Sequence, residues 1–132
     1  TERLEELRDE LLAAHPQITV AIRSLDVNAH DDVFRVFREF DEELGGLDRV
    51  IVNAGLGKGQ PLGTGYFHAN AATARTNFLG ALAQSEAALE LFRPRDAGHL
   101  VLISSVSAMR GGMPPQSHHL RGVEGGGGGG AG

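Results

Sequence analysis

The sequence predicts an α/β fold built around a parallel sheet, and three observations carry this prediction. Helix-like and strand-like segments alternate along the chain in the order α-β-α-β-α-β. The second and third strand-like segments, "VIVNAG" and "HLVLISS", are short apolar runs typical of parallel strands covered on both faces. A helix between successive strands is the usual right-handed crossover of such a sheet.

Composition excludes several classes of protein. The 132 residues suit one modest domain, and a hydrophobic content of 41% suits a globular core. A net charge of −5 without any basic stretch argues against a nucleic-acid surface, and the absence of cysteine excludes disulfides and thiolate metal sites. No apolar run reaches membrane-spanning length, and residues 1–14 are too charged for a signal peptide. We therefore expect a soluble, cytoplasmic protein.

The first half of the chain is predicted to form a helix, a strand and a second helix. Four leucines follow helical spacing before Pro16 ends the first helix: Leu4, Leu7, Leu11 and Leu12. The β-branched segment Ile18 to Leu25 is predicted to be a strand. Asn28 is predicted to cap the second helix, with Asp31 in its first turn. The inner face of that helix is expected to be Val33, Phe37, Phe40 and Leu44, with Gly45-Gly46 ending it.

The second half is predicted to place one long helix between two strands. "LDRVIVNAG" and "HLVLISS" give the strands, and residues 69–93 show the longest helical pattern. Its inner stripe is expected to be Ala74, Phe78, Ala81, Leu82, Ser85, Leu89 and Phe92.

Candidate site residues follow the three predicted strands, because ligands of open parallel sheets gather at the carboxyl ends of the strands. These ends are Asp26-Val27, Asn53-Ala54-Gly55 and Ser104-Ser105. Small residues at the second end would let a flat ligand approach the backbone. Taken singly, each end is better explained by a structural role, since Asp often caps a helix and "NAG" is a plausible turn.

Asn77 is predicted to lie within the apolar stripe of the long helix. A buried amide without partners costs about 1–3 kcal/mol. Either it anchors a neighbouring backbone carbonyl or a water molecule, or it serves a site. From the residues alone we favour the structural role.

Two other candidate sites are excluded by spacing. The glycines between Gly55 and Gly65 do not fit G-x-G-x-x-G, and Lys58 is not followed by Ser or Thr, so the segment is a flexible loop. The pair His118-His119 lacks the helical spacing and the carboxylate of a metal motif. We therefore expect no metal site.

Four motifs, taken in order, resemble the short-chain dehydrogenase/reductase family. They are "LDV" after a strand, "VIVNAG", "TNFLG" within the long helix, and "HLVLISS", with Asn77 standing 28 residues before Ser105. The resemblance covers residues 1–113. It implies a Rossmann-like doubly wound parallel sheet, of which this chain is the central part. Full-length members of the family are expected to be homo-oligomers.

The resemblance implies a nicotinamide cofactor, NADP or NAD, with NADP slightly favoured. Asp26 and Val27 would flank its adenine. Asn53, Ala54 and Gly55 would support the central strand and pass close to its ribose.

The resemblance also implies two catalytic residues. Asn77 would hold a water molecule in a proton relay. Ser105 would hydrogen-bond the oxygen of a small carbonyl or alcohol substrate and steady the developing oxyanion. Ser104 and Ser107 are weaker candidates for the serine.

Two motifs of the family are not found in the sequence. Its Gly-rich turn would precede Thr1, and its Tyr-x-x-x-Lys should follow Ser105 by about a dozen residues, as the resemblance implies, with the tyrosine in general acid/base work. The single tyrosine, Tyr66, lies far too early. We therefore expect this chain to be inactive as written.

The missing Tyr-x-x-x-Lys belongs where the Gly-rich tail, residues 114–132, stands. Back-translation with a shift of one base from Pro115 allows the reading R-N-L-T-T-Y-A-A-S-K-A-G-V-A-A. We hypothesise a frameshift; a disordered linker is the alternative.

Three functional hypotheses remain at this point. The first is an NAD(P)-dependent oxidoreductase that transfers hydride between nicotinamide and a carbonyl/alcohol pair. The second is a non-catalytic flavodoxin-like or receiver-like regulatory module, with Asp26 or Asp48 as phosphoacceptor. The third is an inert translated gene fragment. The family's strand order 3-2-1-4-5 would leave a gap between the first and second strands of this chain. We therefore expect the isolated chain to be unstable and prone to aggregation.

Overall fold

The computed structural model describes residues 2–105, which form helices packed on a two-stranded parallel sheet. The α-helices are α1 (Glu2–Ala14), α2 (His30–Glu43), α3 (Phe67–Ala74) and α4 (Ala81–Phe92). A π-helical segment, Arg75–Gly80, joins α3 to α4, and a 3₁₀ turn, Arg93–Arg95, follows α4. The strands are β1 (Arg49–Val52) and β2 (His99–Leu102). Ser107, the pair His118-His119 and the tail 114–132 lie outside the described residues.

The two strands form the parallel pair that the sequence predicts. Arg49 lies opposite His99 and Val52 opposite Leu102, and the helical crossover between the strands is α3 to α4. The prediction that both faces of these strands are covered is wrong for the described residues. Val52 is buried on one face, whereas Ile51 on the other face is 58% exposed.

The predicted strand Ile18 to Leu25 is wrong. Residues 19–26 belong to no helix or strand, because no described strand pairs with them in a ladder. The segment is held by side chains instead. Arg23 pairs with Glu39 at 3.3 Å and with Glu43, and its guanidinium lies 5.3 Å from the ring centre of Phe40.

The predicted cap of α2 is also wrong. Ala29 occupies the N-cap position, and Asn28 instead bonds Asp26 and Thr76. The predicted end of the helix is confirmed, since Gly45 and Gly46 follow it with φ values of 74° and 116°. Asp31 lies in the first turn, as predicted.

The core lies between α2 and α4. Val33 is fully buried against Ala83 and Ala87, with Leu25 and Phe37 packed around them. Val36 is buried as well, whereas Leu44, a predicted inner residue, is 41% exposed.

The predicted inner stripe of the long helix is largely wrong. The π-helical segment bonds i to i+5, so its wider turn changes which residues of α4 face inward. Phe78, Leu82 and Leu89 are exposed. The buried residues of α4 are Ala83, Gln84, Ala87, Ala88 and Phe92, of which the sequence predicted only the last. Within residues 2–105, no helix combines the length and the apolarity needed to span a membrane.

Candidate cofactor-binding site

A pocket of about 410 Å³ opens at the carboxyl ends of β1 and β2. The ends of the two strands form one wall of the pocket. The π-helical segment and the start of α4 form the other. Asn and Ser supply its polar side chains, and none of its lining residues is ionisable. The lining consists of Val52, Asn53, Ala54, Gly55, Asn77, Ala81, Leu102, Ile103, Ser104 and Ser105.

Five of the seven predicted site residues lie together around this pocket. They are Asn53, Ala54, Gly55, Asn77 and Ser105. Parallel strands bring their carboxyl ends to one edge of a sheet, which is why residues about 50 positions apart meet here. The two adenine candidates, Asp26 and Val27, do not line the pocket.

Asn77 is exposed rather than buried, which corrects the prediction, and its amide both donates to and accepts from one neighbour. Its Oδ1 accepts a hydrogen bond from the Leu56 N–H at 2.6 Å, and its Nδ2 donates to the Leu56 carbonyl at 2.9 Å. The structural role favoured from the residues alone is thus observed. The amide fixes the backbone directly after the small residues Ala54 and Gly55.

Val27 and Asn28, which follow Asp26, contact the π-helical segment that carries Asn77. Asn28 Nδ2 donates to Thr76 Oγ1 at 3.1 Å, and Asn28 N–H donates to Asp26 at 2.9 Å. Gly80 is buried, and a Cβ there would lie 3.0 Å from Val27 Cγ2. Gly80 was not among the residues predicted from the sequence, although an isolated glycine inside a helical pattern often has a packing reason.

The serine pair follows β2 directly. The bond from the Ile103 N–H to the Val52 carbonyl, 3.0 Å, carries the sheet one residue beyond β2. Ser104 and Ser105 come next, are exposed, and line the pocket. Each hydroxyl is both a donor and an acceptor.

Metal chemistry finds no support among the described residues. No group of three or more His, Cys, Asp or Glu side chains in residues 2–105 is placed to hold an ion. What the pocket offers is a set of neutral amides and hydroxyls beside small residues. Such a set suits a flat polar ligand that needs close contact and directional hydrogen bonds.

Residues 1–116 match the sequence profile of the short chain dehydrogenase family. The chain belongs to this family. It is 54% identical over 111 residues to an uncharacterized oxidoreductase of Mycobacterium tuberculosis, an alignment that covers 84% of this chain and 44% of the relative. The chain therefore spans less than half the length of this relative.

Solved structures agree on the fold. A short chain dehydrogenase from Mycobacterium smegmatis is 29% identical with a TM-score of 0.77, over 90% of this chain and 49% of the other. A xylitol dehydrogenase bound to NAD⁺ has a TM-score of 0.78 at 19% identity, over 88% of this chain and 44% of the other, which supports the fold alone. The α/β Rossmann class is thus confirmed, and the family favours the oxidoreductase hypothesis over the regulatory module.

Proposed function

We propose that this chain is the central part of an NAD(P)-dependent oxidoreductase that acts on a small carbonyl or alcohol substrate. The observation that carries the proposal is the pocket at the carboxyl ends of β1 and β2. It joins the small residues after one strand to the serines after the next. The family and the pocket support the cofactor class together, since the pocket occupies the ligand position of open α/β sheets.

The lining residues fit a nicotinamide dinucleotide. Ala54, Gly55 and Ala81 are small, so a planar ring and its ribose find room against the backbone. The neutral amide of Asn53 and the serine hydroxyls suit the carboxamide and the sugar hydroxyls. When bound, the nicotinamide supplies the chemistry of hydride exchange with the substrate carbon.

Ser105 is proposed to orient the substrate oxygen. It lines the pocket two residues after Ile103, which is bonded to the end of β1, and a hydroxyl in that place donates a hydrogen bond to a carbonyl oxygen as charge develops on it. Asn77 is proposed to act beside it. Its side chain is committed to Leu56, so it holds the pocket wall, while a water molecule for proton relay would bind nearby.

Hydride transfer also requires a proton donor, and we propose that the chain lacks one. No tyrosine follows Ser105 in the sequence, and Tyr66 lines a different cavity with Leu62 and Phe67. Among residues 2–105, the polar side chains that line the pocket are amides and hydroxyls without a titratable proton near neutral pH. The chain as written is therefore expected to bind cofactor without turnover.

The test combines a turnover assay with resequencing of the coding DNA. NADPH or NADH is mixed with the protein and a panel of small aldehydes and ketones, and absorbance at the nicotinamide band is followed. We expect no oxidation, and oxidation above the buffer rate would contradict the proposed inactivity. Resequencing across Met113 to Gly125 then tests the frameshift. A gained or lost base should restore Tyr-x-x-x-Lys, and a confirmed frame rejects the frameshift hypothesis.

Cofactor choice is proposed to favour NADP. The same protein is titrated with NADPH and with NADH, and the two dissociation constants are compared. Tighter binding of NADPH agrees with the proposal. Equal affinities, or tighter binding of NADH, contradict it.

A further inference from the structure

Two asparagines of one helix hold the loop that connects β1 to α3. Asn77 holds Leu56 by two hydrogen bonds, as described above. Asn70, on α3, accepts a hydrogen bond at its Oδ1 from the Gln60 N–H at 2.7 Å. The two asparagines stand seven residues apart, and their loop partners Leu56 and Gln60 stand four apart. We call this pair of anchors the asparagine clamp.

The clamp encloses the most pliable part of the loop. Gly57 and Gly59 flank Lys58 between the two anchored residues. A Cβ at Gly57 would find no heavy atom of the described residues within 4 Å, so the loop stands clear of packing there. Glycine carries the largest conformational entropy in an unfixed chain. The order of residues 57–59 therefore depends on the anchors at either end.

The clamped loop begins in the wall of the proposed cofactor pocket. Gly55 lines the pocket, and Leu56 is bound to Asn77, which lines it too. A ligand that contacts this wall would have to order an unanchored loop, and that cost reduces affinity. An anchored loop is already in place before binding.

We propose that Asn70 is a positioning residue, which fixes the loop 56–60 at the rim of the cofactor pocket through Gln60. This inference rests on the proposed function. It assigns to Asn70 a role in cofactor affinity that acts through the backbone of the loop, with no contact between Asn70 and the cofactor.

The two anchors differ in chemistry, and the difference makes the proposal testable. Within residues 2–105 the Asn70 side chain serves as an acceptor, so a carboxylate in its place keeps the bond from the Gln60 N–H. Asn77 acts as acceptor and donor, so Asn77→Asp loses the donation to the Leu56 carbonyl. Aspartate should therefore replace asparagine at 70 and fail at 77.

The experiment compares Asn70→Ala, Asn70→Leu and Asn70→Asp with wild type, using residue-resolved amide hydrogen exchange and NADPH fluorescence titration. Thr73→Ala is the matched control, because Thr73 bonds the carbonyl of Ala69 in its own helix. For Asn70→Ala and Asn70→Leu we expect exchange at the Gln60 amide to rise about tenfold. The Kd for NADPH should rise about three- to tenfold, as the loss of one hydrogen bond implies. Asn70→Asp and Thr73→Ala should match wild type.

Separate results would overturn the separate claims. A wild-type protein without a saturable NADPH response overturns the cofactor site itself. A normal wild-type response with unchanged Kd and unchanged Gln60 exchange in Asn70→Ala or Asn70→Leu overturns the clamp alone. Loss of affinity in Asn70→Asp equal to that in Asn70→Leu also overturns it. Asn70→Leu keeps most of the side-chain volume. The test of the clamp therefore does not depend on the alanine variant being folded.

Discussion

Gly98 is the residue at which the backbone leaves no room for a side chain. It turns the chain into β2 with a φ of 151°, and an added Cβ would lie 2.2 Å from Cγ of Phe92. Phe92 is buried at the end of α4. The ring cannot retreat without opening the contact between helix and sheet.

We expect Gly98→Ala to lower the free energy of unfolding by about 2–5 kcal/mol, from overpacking and backbone strain together. Urea denaturation followed by circular dichroism measures it. Gly57→Ala is the control and should change stability by less than about 1 kcal/mol, because its site is open. Similar values for the two variants would contradict the account.

The site residues show how far single residues could be predicted. Asn53, Gly55 and Ser105 could be chosen because they follow apolar strands, and strand ends of a parallel sheet share one edge. The hydrogen-bond partner of Asn77, Leu56, could not be predicted. It depends on where the loop after β1 passes, and no local pattern encodes that path.

At the scale of elements, an ion pair joins the end of α2 to the turn after α4. Asp41 pairs with Arg95, and its Oδ1 also accepts the Leu47 N–H at 2.7 Å. The hydrogen bond from Arg95, and then that from Leu47, hold the pKa of the Asp41 carboxyl below its ordinary value of 3.8. The ionised Asp41 carboxylate therefore stabilises the folded chain at pH values above 3.8.

Asp41→Asn should remove this stabilisation. The amide keeps an acceptor for Leu47 but loses the charge pair, and with Arg95 partly exposed the expected loss is about 1 kcal/mol at neutral pH. As pH falls through the lowered folded pKa of Asp41, wild type loses the same contribution, so the two proteins should converge in acid. Stability measured in urea at pH 7 and at pH 3 or below checks this. A constant difference across that range would contradict it.

Elements were predictable where their signals are local. The parallel pair of β1 and β2 and the glycine stop after α2 follow from short patterns. The segment 18–25 has the composition of a strand, but a ladder needs a neighbour, and none of the described segments supplies one. The π-helical segment widens one turn inside an otherwise regular pattern, so a constant helical period misplaced the buried face of α4.

At the scale of the whole molecule, large apolar side chains face outward over much of the described chain. Leu62 is 88% exposed, Phe67 75% and Phe78 69%. One face of the sheet is open at Ile51 as well. Apolar surface of this extent and open strand edges favour association.

We expect the isolated 132-residue chain to self-associate and to bind a hydrophobic dye such as ANS strongly. Analytical ultracentrifugation and dye fluorescence measure the two effects. A substitution of the exposed residue Phe78 tests whether its side chain contributes to dye binding. Phe78→Ser should reduce dye binding without lowering the helix content. A chain that stays monomeric and does not bind the dye would contradict this expectation.

The cofactor site at the ends of β1 and β2 is tested most directly by an NADPH fluorescence titration of the purified protein and two matched leucine variants. Ala54 lines the pocket and Ala72 lies on an exposed face of α3. We expect a saturable fluorescence increase in wild type and in Ala72→Leu. Ala54→Leu should weaken affinity at least about tenfold, or 1.4 kcal/mol. No saturable response in wild type, or equal affinity in the two variants, would contradict a cofactor site at the ends of β1 and β2.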